Sequence, residues 1–574
     1  MKIQTKSSIL RHIPVIHGGK SMLKNSDLDI IDFSSNITPL GIPNSAKLII
    51  KKNLDKVQFY PDPKSENVLS NLEKYTRLSK SNIIVGNGAI EILYNFCFAF
   101  LSKSTNVLIH IPTFQEYETA VKLSNCKISY FKTLNLSKNL DLFISQIPKN
   151  GCIFLCNPNN PTGELLSKKQ LLSIIIAAKK LKTIVFVDEC FIELVPESNE
   201  SVISYVKKYD NLFILRSLTK SSILRHIPVI HGGKSMLKNS DLDIIDFSSN
   251  ITPLGIPKSA KLIIKKNLDN LQFYPDPKSE NVISNLEKYT HLSKSNIIVG
   301  NGAIEILYNF CFAFLSKSTN VLIHIPTFQE YETAVKLSNC KISYFKTLNL
   351  SKNLDLFISQ IPKNGCVFLC NPNNPTGELL SKKQLLSIII VAKKLKTIVF
   401  VDECFIELVP ESNESVLSYV KKYDNLFILR SLTKSFGLPG LRIGYACGSK
   451  QTIKILQNIK IPWSVSSLAQ DAANAVIKNI SHLKKTNLII KKELKYLQNA
   501  ISNIDGFECN YSSTNFILIK TKYDSTKLQM KLLKNKILIR DCKNFRGLNN
   551  HYIRIAVKSH KNNIKLVQAL EKIK

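Results

Sequence analysis

Three short blocks in this 574-residue chain combine residue types suited to chemistry at a fixed spacing. Asn371-Pro-Asn-Asn-Pro-Thr-Gly377 follows a strand-like run and uses its prolines to hold amide side chains on a rigid turn. Val401-Asp402-Glu403-Cys404-Phe405 places a carboxylate at the C-terminal end of a β-branched run, where ligands bind in open α/β sheets. Ser431-Leu-Thr-Lys434-Ser-Phe-Gly-Leu-Pro-Gly-Leu-Arg442-Ile-Gly-Tyr445 sets an amine eight residues before a guanidinium. Upstream, Asn296-Ile-Ile-Val runs into Gly300-Asn-Gly302-Ala303 and then a helical pattern; backbone N–H groups at such a turn suit a phosphate. Each block alone is a modest signal. Their order and spacing together are specific.

Positioning these residues calls for a sheet with helices on it. Short β-branched runs at 296–299, 321–325, 341–345, 366–369, 397–401, 426–429 and 442–446 alternate with amphipathic ones such as 305–315 and 382–395. The pattern predicts an α/β fold with a mostly parallel, seven-stranded sheet. From about Pro462 it changes to lysine-rich helices and strands at 515–519, 537–540 and 552–557, which predicts a smaller α+β domain over 462–574 after a large domain over 221–461.

Residues 7–220 recur as 221–434 at a constant offset of 214 with eight differences, so the large-domain motifs occur twice. Removing one copy leaves 360 residues, the size of one two-domain enzyme subunit, and makes 1–220 a truncated duplicate. The repeat also apportions the net charge of +35: copy one carries +8, whereas residues 435–574 carry +18. Those lysines lie in helical patterns with few interleaved aromatics, which predicts a solvated surface and no nucleic-acid partner. No run approaches the ~18 apolar residues of a membrane span, and the N-terminus lacks a secretory pattern, so the expectation is a cytoplasmic protein without a membrane partner. Thirteen cysteines without a CxxC read as buried free thiols, with no metal site.

With these blocks in view, the sequence resembles the fold-type I pyridoxal-phosphate enzymes of the aspartate aminotransferase superfamily across essentially all of 221–574. The resemblance implies pyridoxal 5′-phosphate as cofactor, joined to Lys434 as a Schiff base. It implies Asp402 on the pyridine nitrogen, Asn374 on the ring hydroxyl and Phe328 stacked on the ring. Gly302, Ala303, Ser431, Thr433 and Arg442 fall at the phosphate positions, and Tyr274, in Tyr274-Pro-Asp-Pro277, is a candidate reaching across a dimer interface. Lys434 and Asp402 are the expected catalytic pair, in a homodimer that the extra segment could perturb.

Within that superfamily His231-Gly-Gly, Asp246-Phe-Ser-Ser-Asn250, Pro326-Thr-Phe-Gln-Glu-Tyr331 and Ile539-Arg540-Asp-Cys-Lys-Asn-Phe-Arg resemble the threonine-phosphate decarboxylase branch of cobalamin biosynthesis more than the histidinol-phosphate aminotransferase branch. That likeness implies a small phosphorylated amino acid as substrate, held by His231, Gly232, Asn250, Asn374, Arg540 and Arg554. Phe405 stands where transaminases carry a tyrosine, in keeping with a carboxy-lyase. An aminotransferase remains the enzymatic alternative, and a non-catalytic basic binding protein the other.

Copy one repeats Gly88, Ala89, Phe114, Asn160, Asp188 and Lys220, but Pro228 occupies the position of the phosphate arginine and the small domain is missing. It is therefore not expected to be an independent active site. Three fates stay open for it: docking as a pseudo-subunit that offers Tyr60, remaining partly unfolded, or being a product of sequence assembly.

Overall fold

The computed structural model describes residues 9, 15, 32–36, 42–217 and 244–573. Copy one supplies β1 (Asn106–Ile111), β2 (Lys127–Lys132), β3 (Cys152–Cys156), β4 (Ile184–Asp188) and β5 (Leu212–Leu215), an all-parallel sheet of order β2-β1-β3-β4-β5. After β6 (Ile245–Asp246), copy two and the segment that follows it build β7 (Ile297–Gly300), β8 (Asn320–Ile325), β9 (Lys341–Lys346), β10 (Cys366–Cys370), β11 (Ile398–Asp402), β12 (Leu426–Ser431) and β13 (Gly444–Cys447). These form the anticipated seven-stranded sheet in the order β7-β13-β12-β11-β10-β8-β9. Only β13 runs against its neighbours β12 and β7. Every residue of β10 is buried, as expected of a strand covered by helices on both faces.

The helices follow from local signals. Helix Lys382–Lys394 starts at a capping box in which the Ser381 hydroxyl accepts from the Gln384 N–H and the Gln384 side chain caps in return. It buries Leu385, Ile388, Ile389 and Ala392, spaced for one face.

The two copies show how much of a strand depends on its partner. Residues 83–86 have the same sequence as β7, yet they are not a strand and are only half-buried. The neighbour of β7 is β13, which lies beyond the duplicated segment; without it the described residues of copy one form a five-stranded sheet, where copy two and the segment after it form seven strands. Phe247 is fully buried against the small domain, whereas its equivalent Phe33 is 92% exposed.

The small domain is a sheet of order β14-β15-β18-β17, from Phe507–Cys509, Phe516–Thr521, Tyr552–Ala556 and Arg540–Asp541 respectively, with β16 (Ile537–Leu538) between β15 and β17 in sequence. Its long helix Ile480–Ser502 buries Leu483, Ile490, Leu494, Leu497 and Ile501 and leaves Lys484, Lys485, Lys491, Lys492 and Lys495 exposed.

Two boundaries differ from the sequence reading. Helix Ser467–Ile477 packs on the large-domain helices Lys258–Lys266 and Glu280–Thr290, because Ala469, Ala472, Ala473 and Val476 complete that core. The large domain therefore extends past 461. Conversely, β6 pairs in parallel with β16, tying the arm before the large domain to the small one. The single strand expected at 537–540 is two short ones, with Ile537–Leu538 turned to β6 and Arg540–Asp541 to β18. No helix among the described residues is long and apolar enough to cross a membrane.

Candidate active site

The C-terminal ends of β10, β11 and β12 open into a cavity of about 370 Å³ between the large and small domains. Asn250, Ala303, Phe328, Asn374, Asp402, Ser431, Thr433, Lys434, Arg442, Arg540 and Arg554 all line it. Gly302 sits behind Arg442, at φ +72° and so close that a Cβ would lie 2.7 Å from Arg442 Nη2. Arg442 itself is held at φ +54°, an uncommon conformation for a residue with a side chain. His231, Gly232, Lys220 and Pro228 lie outside the described residues.

Asp402, the last residue of β11, is 5% exposed. Its Oδ1 accepts from the Cys404 N–H at 2.9 Å and its Oδ2 from the Tyr331 hydroxyl at 2.6 Å. Burial raises its pKa, while these donors oppose the rise. The next residue, Glu403, accepts two hydrogen bonds on its carboxylate from Arg430 of the neighbouring β12, at 3.0 Å from Nε and 2.7 Å from Nη2, and Arg430 Nη1 reaches Glu407 at 3.2 Å. This buried pair fixes the ends of β11 and β12 beside the cavity.

Asn373 and Asn374 divide their work on the proline turn. Asn373 is structural, accepting from Thr327 Oγ1 at 2.8 Å and donating to the Pro326 carbonyl at 2.9 Å. Asn374 faces the cavity and accepts from Arg554 Nη1. Arg554 also donates through Nη2 to the Ser248 carbonyl at 2.7 Å, and its guanidinium packs 5.5 Å from the Phe516 ring centroid. Arg540 lies on β17, directly across from Arg554 in the pairing with β18, and bonds Asn544 Oδ1 at 3.2 Å. Asn544 in turn donates to Gln329 Oε1 at 3.1 Å, so the small domain clasps the large one at the cavity's rim.

Lys434 opens into the cavity at the end of the short helix Leu432–Ser435, which the Ser431 hydroxyl caps by accepting from the Thr433 N–H at 3.3 Å. Burial, with the charges of Arg442 and Arg554 adding to it, brings its pKa down to about 7. Burial likewise lowers Arg442 and Arg554 to about 10. A concentration of cations in a poorly hydrated cavity favours a polyanionic ligand.

Tyr274 is elsewhere. It is 44% exposed, packs 4.8 Å from Trp463 and faces Asp188 and Cys190 of copy one. The tyrosine over Lys434 is its equivalent Tyr60, whose ring centroid lies 4.5 Å from Lys434 Nζ and 5.5 Å from Arg442 Cζ. Sequence offered both, because the Tyr-Pro-Asp-Pro motif occurs in each copy; only the docking of the copies selects one. Sequence reasoning gave no role to Gln329, Asn544 and Phe545, although all three lie inside quoted motifs, because their part is set by contact between segments 215 residues apart.

The residues fit pyridoxal 5′-phosphate. Arg442 and the 302–303 turn converge where a phosphate needs donors, Asp402 offers a carboxylate to a ring nitrogen, and Asn374 and Phe328 flank the space between. Asn250 Oδ1 and Arg554 Nε are buried without a partner among the described residues, polar atoms available to a ligand in the same cavity.

Known proteins agree with this geometry. The histidinol-phosphate aminotransferase of Methanosphaera stadtmanae is 33% identical over 338 residues, covering 58% of this chain and 90% of that protein. The threonine-phosphate decarboxylase of Salmonella typhimurium is 30% identical over 352 residues, covering 60% and 96%. The crystal structure of L-threonine-O-3-phosphate decarboxylase from Porphyromonas gingivalis matches with a TM-score of 0.52 at 28% identity, over 57% of this chain and 98% of that one. In each case nearly a whole relative corresponds to little more than half of this chain, as one complete subunit plus a partial repeat requires. The aminotransferase class I and II family matches residues 28–224 and again 242–573, and the chain belongs to that family of pyridoxal-phosphate enzymes.

Proposed function

We propose that the Lys434 site decarboxylates O-phospho-L-threonine to (R)-1-amino-2-propanol phosphate and CO₂. The observation that carries this reading is the pair of buried arginines, Arg540 and Arg554, facing one cavity from adjacent strands. Such a substrate brings two anions at opposite ends, a carboxylate and a phosphate, and each suits a guanidinium fork. Arg554 is the one whose charge bears on Lys434 and which bonds Asn374, so it takes the carboxylate next to the reacting carbon. Arg540, set back with Asn544, takes the phosphate.

When bound, pyridoxal phosphate supplies an electron sink for the pair left at Cα as CO₂ departs. The chain's own residues do the rest. Asp402 would hold a proton at the ring nitrogen, Arg442 and the 302–303 turn would hold the phosphate, and Asn374 and Phe328 would flank the ring. Arg554 orients the carboxylate so that this bond, and not Cα–H, is the one that breaks. In its ammonium form Lys434 would give a proton to Cα, and the neutral amine this leaves, the favoured form above about pH 7, would take one back from water. The Phe405 ring, 5.8 Å from Lys434 Nζ, offers that amine no hydrogen-bonding hydroxyl.

A second reading, amino transfer from histidinol phosphate or a related amino acid, is supported by the Methanosphaera relative at similar identity. The deciding experiment gives purified enzyme phosphothreonine and measures CO₂ beside amino transfer to 2-oxoglutarate. CO₂ release without an acceptor is expected; acceptor-dependent turnover without CO₂ would replace the decarboxylase reading.

A further inference from the structure

Residues 214 apart meet between the two copies as a two-fold axis dictates. Lys47 pairs with Asp269, while its equivalent Lys261 pairs with Asp55, the equivalent of Asp269. Phe98 meets its own equivalent Phe312, with ring centroids 4.7 Å apart. Contact of residue i with j and of j with i is the mark of an isologous dimer interface, here formed inside one chain. Apolar side chains extend it: Ile50, Leu54 and Val57 of copy one join the core around the helices Lys258–Lys266 and Ser467–Ile477.

The symmetry is broken at the two sites it relates. On one side Tyr60 covers Lys434 and Arg442, and the Val57 carbonyl accepts from the Gly440 N–H at 2.8 Å. The fit is close enough that a Cβ on Gly440 would lie 2.8 Å from Val57 Cα. On the other side Tyr274 faces Asp188, but the described residues of copy one contain no counterpart of β13, of Arg442 or of the small domain.

We infer that the chain is a single-chain pseudo-dimer with one cofactor site, in which residues 42–217 act in place of a second subunit and Tyr60, Pro61 and Pro63 complete the Lys434 cavity in cis. The inference rests on the cofactor site and not on which reaction it runs. Covalent linkage keeps Tyr60 at a high effective concentration beside its target, so dilution does not open the site.

The test uses the full chain loaded with pyridoxal phosphate. Light scattering over a hundredfold dilution should give the mass of one chain, 64.8 kDa, with one cofactor per chain. Tyr60→Ala should weaken cofactor retention about thirtyfold, the scale of one desolvated cation–π contact, whereas Tyr274→Ala should change it less than about twofold. Tyr60→Leu, which keeps apolar bulk without the ring, guards against a folding defect and should follow Tyr60→Ala. A two-chain particle, two cofactors per chain, a larger effect at Tyr274 than at Tyr60, or no effect at either would overturn the inference. Because retention and mass are read without substrate, failure of the decarboxylation assay leaves this result intact.

Discussion

The protonation of Lys434 offers a direct test of the cavity. An exposed lysine releases its proton near 10.5, and this one does so at about 7. The difference corresponds to about 5 kcal/mol set against the ammonium form, at about 1.4 kcal/mol per pH unit. Burial is the leading cause, with repulsion from Arg442 and then Arg554 behind it. At pH 8 an amine with this pKa is about 90% neutral, against about 0.3% for an ordinary lysine. Only the neutral amine attacks the cofactor's aldehyde. When cofactor-free protein is mixed with pyridoxal phosphate and formation of the visible absorbance is followed from pH 5.5 to 9.5, the rate should rise with pH and reach half its plateau at about 7. Arg554→Gln removes one repelling charge and should move that half-point upward. A half-point at 9 or above in the unaltered protein would mean that water reaches the amine freely, and the argument from burial would fall.

Two further perturbations probe the supports of the site. Gly302→Ala puts a side chain at φ +72° and within 2.7 Å of Arg442 Nη2; a left-handed alanine costs about 1–2 kcal/mol, and displacement of the guanidinium should add to a roughly tenfold weaker cofactor dissociation constant. An unchanged constant would remove Arg442 from the phosphate site. Glu403→Gln leaves Arg430, 7% exposed, facing a neutral amide and should lower unfolding free energy by about 3 kcal/mol. Its copy-one equivalent Glu189→Gln should cost about 1 kcal/mol, because Arg216 is 21% exposed. Equal losses in denaturant titrations would show that burial does not set the strength of these pairs.

What sequence could foretell divides along the range of the forces involved. All seven large-domain strands and the helix at 382–394 lie within a residue or two of their sequence-derived bounds, except that helix 302–314 starts three residues earlier. Alternation and capping are local, so they are visible in one dimension. That Asn374, Asp402 and Lys434 line one cavity was legible for a related reason: they sit at or just past strand ends whose order a parallel sheet enforces. What escaped depended on partners remote in the chain. The pairing of β6 with β16, the docking of helix 467–477 on the large domain, and the choice of Tyr60 over Tyr274 are set by tertiary contact alone. The segment 83–86 makes the point most plainly, since the same residues form a strand in copy two and none in copy one.

In an ordinary two-fold dimer, every substitution appears twice and must suit both its roles at once. The contact between the copies here is written by two separate stretches of the same gene, so each half can drift alone. Three of the eight differences between the copies, Asn44/Lys258, Lys56/Asn270 and Val57/Leu271, fall in the fifteen residues 44–58 and their equivalents. On one side that stretch presses against Gly440, and on the other nothing equivalent to Gly440 faces it among the described residues. Divergence there is what a lineage would accumulate once its former mirror image had become a dedicated scaffold, free to lose chemistry while keeping its grip.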